Sequence, residues 1–257
     1  MWENKPHCKY APGHKLGVFL DKQLLATMKK PSLTSIVPGA SAGQQIYKVL
    51  RQFIVNCTFA PGESISDKEI SDMFGVSRQP VRDAFIKLAE AGLIQVLPQR
   101  GTFVRKISSR QVRNARFIRE AVETAIVEKA AECISEADLL TLDAILARQR
   151  LAAQNNDVGQ FLTLDDEFHY TLAKSIDCIE AWEMIENIKA QMDRVRFLTL
   201  PGISPIEKMT DQHQAVIEAL HAHDPAQARE AMHTHLREMI FTFKPASQIH
   251  PEWFEDD

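Results

Sequence analysis

No run in the 257-residue sequence approaches the roughly 18 apolar residues that a membrane span requires. The first apolar stretch, Leu16 to Leu20, stops at Asp21-Lys22 and is too short for the core of a secretory signal. Cysteine is scarce. Cys8, Cys57, Cys133 and Cys178 are widely spaced with no CxxC pair, which excludes a disulfide framework and points to a reduced compartment. Internal repeats and low-complexity segments are absent. Together these absences predict a soluble, unexported, cytoplasmic chain with no membrane partner.

What is present is an average globular mix, 45% apolar and 25% charged. The length suits one large domain or two ordinary ones. The net charge of −4 conceals an asymmetry. Residues 1–106 hold 15 Lys and Arg against 8 Asp and Glu, whereas residues 107–257 hold 15 against 26. A basic module suited to a polyanion is joined to an acidic module with another task.

Four segments follow. Residues 1–42 lack periodicity, carry Pro6, Pro12, Pro31 and Pro38, and read as an arm or linker with a short amphipathic helix at most over 16–28. Residues 43–106 read as a winged helix-turn-helix. Ile46, Val49, Leu50, Phe53 and Ile54 recur at helical spacing, and Pro61-Gly62-Glu63 makes a turn. Ser66 and Glu69 form a capping box for a second helix. Gly75 permits a tight turn, and Ser77 caps a third helix with Pro80 in its first turn. Strand-like runs at 93–97 and 102–106 flank the turn from Pro98 to Gly101.

Residues 107–244 show no strand alternation. Helices are predicted at 109–133, 135–155, 158–174, 178–199, 205–222 and 225–243. Their caps are Ser135 with Asp138, Asp157, Asp177 with Glu180, Ser204-Pro205 with Glu207, and Asp224-Pro225. Short loops make this an antiparallel bundle, and residues 245–257 a tail. The expected fold class is mainly α: an N-terminal winged helix-turn-helix plus a C-terminal antiparallel all-helical bundle.

Arg78, Gln79 and Arg82 fall at the start of the third helix, the element that enters the major groove in this motif. Arginine can take guanine O6 and N7 together, and glutamine can pair with adenine. Lys48 and Arg51 on the first helix suit phosphates, as do the backbone amides near Ser77. Arg100 and Gly101 form a wing tip able to approach the DNA backbone. The run Ile70-Ser-Asp-Met-Phe-Gly75-Val-Ser-Arg78-Gln-Pro-Val-Arg82-Asp-Ala84 resembles the GntR family of bacterial transcription regulators. The likeness takes in Pro61-Gly62-Glu63, Leu88-Ala-Glu-Ala-Gly92-Leu-Ile94 and Arg100-Gly-Thr-Phe-Val104, nearly all of 44–104. It implies double-stranded operator DNA as partner, read as two half-sites by a homodimer.

In the bundle, Asp165 and His169 lie four residues apart on one helix face, within the apolar stripe of Phe161, Leu162, Phe168 and Leu172. His213 lies in the stripe Ile206, Met209, Val216, Ile217 and Leu220, and His235 in the stripe Ala228, Met232, Met239 and Phe243. Buried polar groups need partners. His213 and His235 stand at equal distances from the turn at His223-Asp224, which sets them level across an antiparallel hairpin. One Asp and three His on three helices suit a divalent metal ion: Zn²⁺, Ni²⁺, Mn²⁺ or Fe²⁺.

This segment resembles the ligand-sensing domain of the FadR subfamily, the FCD domain, through Asp165-Asp-Glu-Phe168-His169, Gln-His213-Gln-Ala-Val and His-Thr-His235-Leu. Six helices would place it in the VanR-like branch. The resemblance implies a metal that anchors a small carboxylate effector, with Arg119 facing the cavity; a surface pair with Glu123 is the other reading of Arg119. Arg194 and Arg196 are further candidates. A repressor-type regulator, with no enzymatic activity, is the leading reading. A metal-dependent hydrolase or oxygenase fused to a DNA module, and a regulator that senses the metal itself, stand as alternatives. Against the enzyme, no spare inward Glu or His offers a general base.

Overall fold

The computed structural model describes residues 41–200, 206–238, 243–244, 246–248 and 250–255. The arm, with its expected helix over 16–28, and the Ser204-Pro205 cap lie outside the described residues.

The first module is built on helix α1 (Ala42–Val55), opened by a reciprocal capping box between Ser41 and Gln44 and buried along Ile46, Leu50 and Ile54. Strand β1 (Ser64–Ile65), α2 (Asp67–Phe74), α3 (Arg78–Glu90), β2 (Ile94–Leu97) and β3 (Gly101–Val104) follow. The strands form an antiparallel sheet in the order β1-β3-β2, with Ile65 opposite Thr102 and Ile94 opposite Val104. β1 was not expected, because two residues are too few to show alternation. Gly75 ends α2 at φ 66°, the left-handed conformation glycine adopts freely. Ser66 caps α2 as expected, although Glu69 accepts from the Ser66 hydroxyl at 3.0 Å and has no backbone partner at the cap. Ser77 occupies the N-cap position of α3, but its hydroxyl makes no cap bond. That expectation is corrected.

The second module comprises α4 (Ser109–Cys133), α5 (Glu136–Gln154), α6 (Val158–Ser175), α7 (Ile179–Ile188), α8 (Ala190–Thr199), α9 (Ile206–His221) and α10 (Pro225–Arg237). Ser108, Ser135, Asp157 and Asp224 each accept the amide three residues on, which fixes the starts of α4, α5, α6 and α10. α4 packs on α10, α10 on α9, α9 on α5, and α5 on α6, with α4 and α6 closing the ring. One apolar core runs through them, from Ile126 and Leu142 to Phe161, Phe168, Val216 and Met232. No helix among the described residues is long and apolar enough to cross a membrane.

Two expectations fail between residues 177 and 199. Asp177 does not cap: it adopts φ 54°, and Cys178 becomes an N-cap without a side-chain bond. The helix expected over 178–199 is two, α7 and α8, divided at Lys189. The six-helix count behind the VanR-like placement therefore gives way to seven helices among the described residues of this module. Lys189 is buried at the break, and its ammonium bridges Asp166 at 2.9 Å and Asp193 at 2.7 Å. Sequence periodicity cannot register such a break, because residues on both sides keep helical spacing.

α8 belongs to both modules. Ala190 packs into the core of the first. The Gln191 amide donates to Gly92 O at 3.2 Å, and Arg194 donates to Arg105 O at 2.8 Å. Met192 and Val195 join Ile107, Val112 and Phe254 in a third cluster at the junction. The expected tail also takes part: Ile107 N–H donates to Trp253 O at 2.8 Å, and Glu255 N–H to Ile107 O at 2.9 Å.

Candidate metal centre

Asp165, His169, His213 and His235 are all buried, and one donor atom from each lies within 4.8 Å of the others. α6 supplies the first two one turn apart, α9 the third and α10 the fourth, so the four residues expected from spacing do meet. The imidazoles converge through Nε2, with His235 Nε2 3.2 Å from His169 Nε2 and 3.3 Å from His213 Nε2. Asp165 Oδ1 is 3.5 Å from His213 Nε2, and Oδ2 is 3.9 Å from His169 Nε2.

The opposite ring nitrogens show why convergence matters. His213 Nδ1 is 2.8 Å from Gln149 Oε1, and the same amide donates to Leu164 O, so its oxygen must face the histidine. His235 Nδ1 is 3.2 Å from Gln212 Oε1. His169 Nδ1 lies 2.5 Å from Glu123 Oε2. Gln149 and Gln212 present acceptors, so His213 and His235 carry the proton on Nδ1 and keep a lone pair on Nε2. The lone pairs of His213 and His235, 3.3 Å apart, cannot bond each other. They fit a cation: ligand bonds of about 2.1 Å at tetrahedral or octahedral angles put neighbouring donors roughly 3.0–3.4 Å apart.

Electrostatics point the same way. Burial pushes His213 down to about 3. Burial, reinforced by His213 and His169, takes His235 well below its ordinary value. Both rings are neutral at pH 7. Burial opposes the Asp165 carboxylate, but Arg196 above all holds it well below the usual carboxylate range. Arg196 Nη2 stands 2.7 Å from Asp165 Oδ1, yet neither Asp165 oxygen meets hydrogen-bond geometry with any donor. Neutral imidazoles and one ionised carboxylate, its oxygens free of hydrogen bonds, make a borderline nitrogen-rich donor set.

Glu123 was missed as an inward group. It is 3% exposed between Arg119 and His169. Burial raises it, but Arg119 and then His169 bring it down to about 2. Arg119 does pair with Glu123, as one reading held, though in the interior and not on the surface. Gln149 was missed too, although it lies on the buried stripe of α5 with Leu142, Ile145 and Leu146. A polar residue on an apolar stripe was the signal that found Asp165; applied to α4 and α5, it finds Glu123 and Gln149.

Beside the centre lies a cavity of about 30 Å³, room for a water or two. Arg116, Arg119, Arg196 and His235 line it, with Met192, Leu200 and Met209 on its apolar side. Arg194, the other further candidate, lies instead at the junction on Arg105 O.

On the first module, Arg78, Gln79, Arg82 and Ser77 are exposed at the start of α3, Lys48 is exposed on α1, and Arg100 and Gly101 at the wing turn. Gln79 donates to Asp83 at 2.9 Å and Arg82 to Asp67 at 2.9 Å. The exposed Arg82 pair is worth about 0–1 kcal/mol and is readily exchanged for another anion. Arg51 is placed otherwise than expected. Its guanidinium turns to α7 and α8, donating to Glu186 O at 3.3 Å and standing 3.8 Å from Asp193.

Replacing Gln149 with Leu should weaken metal binding about 10–100-fold, because His213 loses the acceptor that fixes its tautomer. Competition with a chromophoric chelator measures this; unchanged affinity would remove Gln149 from the site. In metal-free protein, the depressed histidines imply that the unfolded chain binds protons first as pH falls below about 6.5. The melting temperature should therefore drop between pH 7 and pH 5, and a flat profile would contradict neutral, buried imidazoles.

The comparisons with known proteins follow this geometry. Residues 42–104 match the family described as bacterial regulatory proteins, gntR family, and residues 115–238 match the FCD domain. The HTH-type transcriptional repressor RspR of Escherichia coli (strain K12) is 45% identical over 224 residues, covering 87% of this chain and 98% of the relative. A regulator from an unstable DNA locus of Streptomyces ambofaciens is 34% identical over 220 residues, 85% of this chain and 92% of the relative. Among solved structures, E. coli McbR/YncC shares the fold with a TM-score of 0.71 at 22% identity, covering 82% of this chain and 99% of that one. A GntR regulator from Rhodococcus sp. RHA1 shares it with a TM-score of 0.66 at 24% identity and the same coverage. The chain belongs to the GntR family of bacterial regulators, with a helix-turn-helix domain joined to an FCD domain, and is a transcription regulator, not an enzyme.

Proposed function

We propose that this regulator is a homodimeric repressor whose operator binding is set by a small carboxylate effector held at a metal ion in the bundle. The observation that carries the reading is the meeting of three imidazole Nε2 atoms with one carboxylate in the core, a donor set suited to a divalent cation. Asp165, His169, His213 and His235 would hold the ion, which supplies an electrophilic anchor for an anionic ligand. Arg119, Arg116 and Arg196 add positive charge in the adjoining cavity. Since Glu123 neutralises Arg119 and Asp165 meets Arg196, an incoming carboxylate competes with these pairs.

The functional domains follow the same division: residues 43–106 read DNA and residues 107–244 hold metal and effector. α3 carries the base-reading residues Arg78, Gln79 and Arg82. The uncapped start of α3 at Ser77 leaves backbone amides for a phosphate, and Lys48, Arg100 and Gly101 flank the groove. RspR, the E. coli relative, is named as a repressor, which supports that sign of regulation. For coupling, the effector must bind one arrangement of the reading heads better than the other. α8 is suited to transmit that difference, because Arg196 faces the cavity while Asp193 and Gln191 face the first module.

Arg82→Ala should weaken operator binding by about 1–3 kcal/mol and relax preference at one base pair. Lys48→Ala should lower the salt slope of binding by about one, whereas Arg51→Ala should leave that slope unchanged. Fluorescence anisotropy on an operator selected from random duplexes checks all three. Wild-type affinity and preference in Arg82→Ala would contradict the placement of α3 in the groove.

A further inference from the structure

Helix α5 is apolar on two opposite faces. Leu139, Leu142, Ile145, Leu146, Ala152 and Ala153 are buried in the bundle against α6 and α9. On the outward side, Ala137, Leu140, Ala144, Ala147 and Leu151 are all exposed, Leu140 at 63% and Leu151 at 58%. Their spacing alternates three and four residues, so they make one straight stripe along the helix. Among the described residues nothing covers this stripe. Two exposed leucines alone would need no explanation, but five apolar residues in seam register, with no polar residue among them, do.

The stripe is self-complementary. About the midpoint between Ala144 and Ala147, the order Leu140, Ala144, Ala147, Leu151 reads the same in both chain directions. A two-fold axis demands this, because whatever residue i of one copy meets must in turn meet residue i of the other. Two antiparallel copies crossing at this midpoint set alanines at the centre, where backbones can approach closely, and leucines at both ends.

Charge selects the same direction. Asp143 and Arg150 are seven residues apart and so lie on one flank of the stripe, within about 20° of each other. Antiparallel pairing sets each Asp143 beside the partner's Arg150, twice over. Parallel pairing would separate Asp143 from the partner's Arg150, because it sets this flank against the opposite one. Within the chain the two residues make only solvent-facing contacts, Asp143 with His221 at 3.1 Å and Arg150 with Gln214 at 2.9 Å.

We infer that the outward face of α5 is the homodimer interface, occupied by a second copy of this chain running antiparallel and crossing between Ala144 and Ala147. The inference rests on the homodimer reading above and adds the surface and its direction.

The test is sedimentation equilibrium on the full chain. The wild type should sediment at twice the chain mass. The double variant Leu140→Glu with Leu151→Glu should sediment at the chain mass while keeping its helical circular dichroism. Asp143→Arg and Arg150→Asp should each raise the dimer dissociation constant about tenfold, and the two reversals together should restore it. That pair of reversals decides the matter if the leucine variant fails to fold. A leucine variant that stays dimeric, or reversals that leave the constant unchanged, would overturn the α5 face and leave homodimerisation standing. A wild type that is monomeric at tens of micromolar would overturn both.

Discussion

The buried histidine–carboxylate cluster is the constraint on which the bundle's organisation turns. Three imidazoles and a carboxylate occupy the centre of an otherwise apolar core, at 0–3% exposure. Leaving such groups unpaired in the interior costs several kcal/mol. The protein gives His213 and His235 acceptors in Gln149 and Gln212, sets Glu123 beside His169, and leaves the other sides of the rings aimed at a shared point. Glu123 is in turn held by Arg119, and Asp165 by Arg196. Charges from α4, α6 and α8 are thus committed to positioning four donor atoms. Replacing such a network with well-packed apolar side chains is often neutral or stabilising, so stability alone does not account for it.

The same charges reach the DNA-binding module. Asp193 stands on α8 between Lys189, Arg196 and Arg51, the last of these on α1 of the first module. Burial opposes the Asp193 carboxylate, and Lys189, Arg51 and Arg196 together lower it below its ordinary value. The break at Lys189 lets α8 start inside the first module's core with Ala190 and end at the cavity with Thr199 and Leu200. Arg196, paired with Asp165, thus sits on a helix that also touches α1, Gly92 and Arg105.

The architecture was legible in the sequence wherever one side chain carries one local job. Serine and aspartate caps placed the starts of α5, α6 and α10, and Gly75 placed the turn before α3. The four metal-ligand candidates were legible because polar residues interrupt apolar stripes at compatible heights. The rest was set by tertiary contact. Whether Arg51 meets phosphate or Asp193 depends on where α8 lies, which no local pattern encodes. Lys189, at the division of α7 from α8, is buried and bridges Asp166 on α6, a contact across helices that sequence periodicity does not encode. Ser77 has the residue type and backbone of a cap without the bond, since residue preference sets a probability and not a geometry.

Anchoring of a small acid by a metal ion is the proposal on which the regulatory reading stands. The most direct measurement is a thermal-shift screen of small organic acids on purified protein, run with and without prior chelation. At least one acid should raise the melting temperature of metal-loaded protein and lose that effect after chelation. An acid that stabilises the chelated protein equally well, or a melting temperature indifferent to chelation, would contradict it.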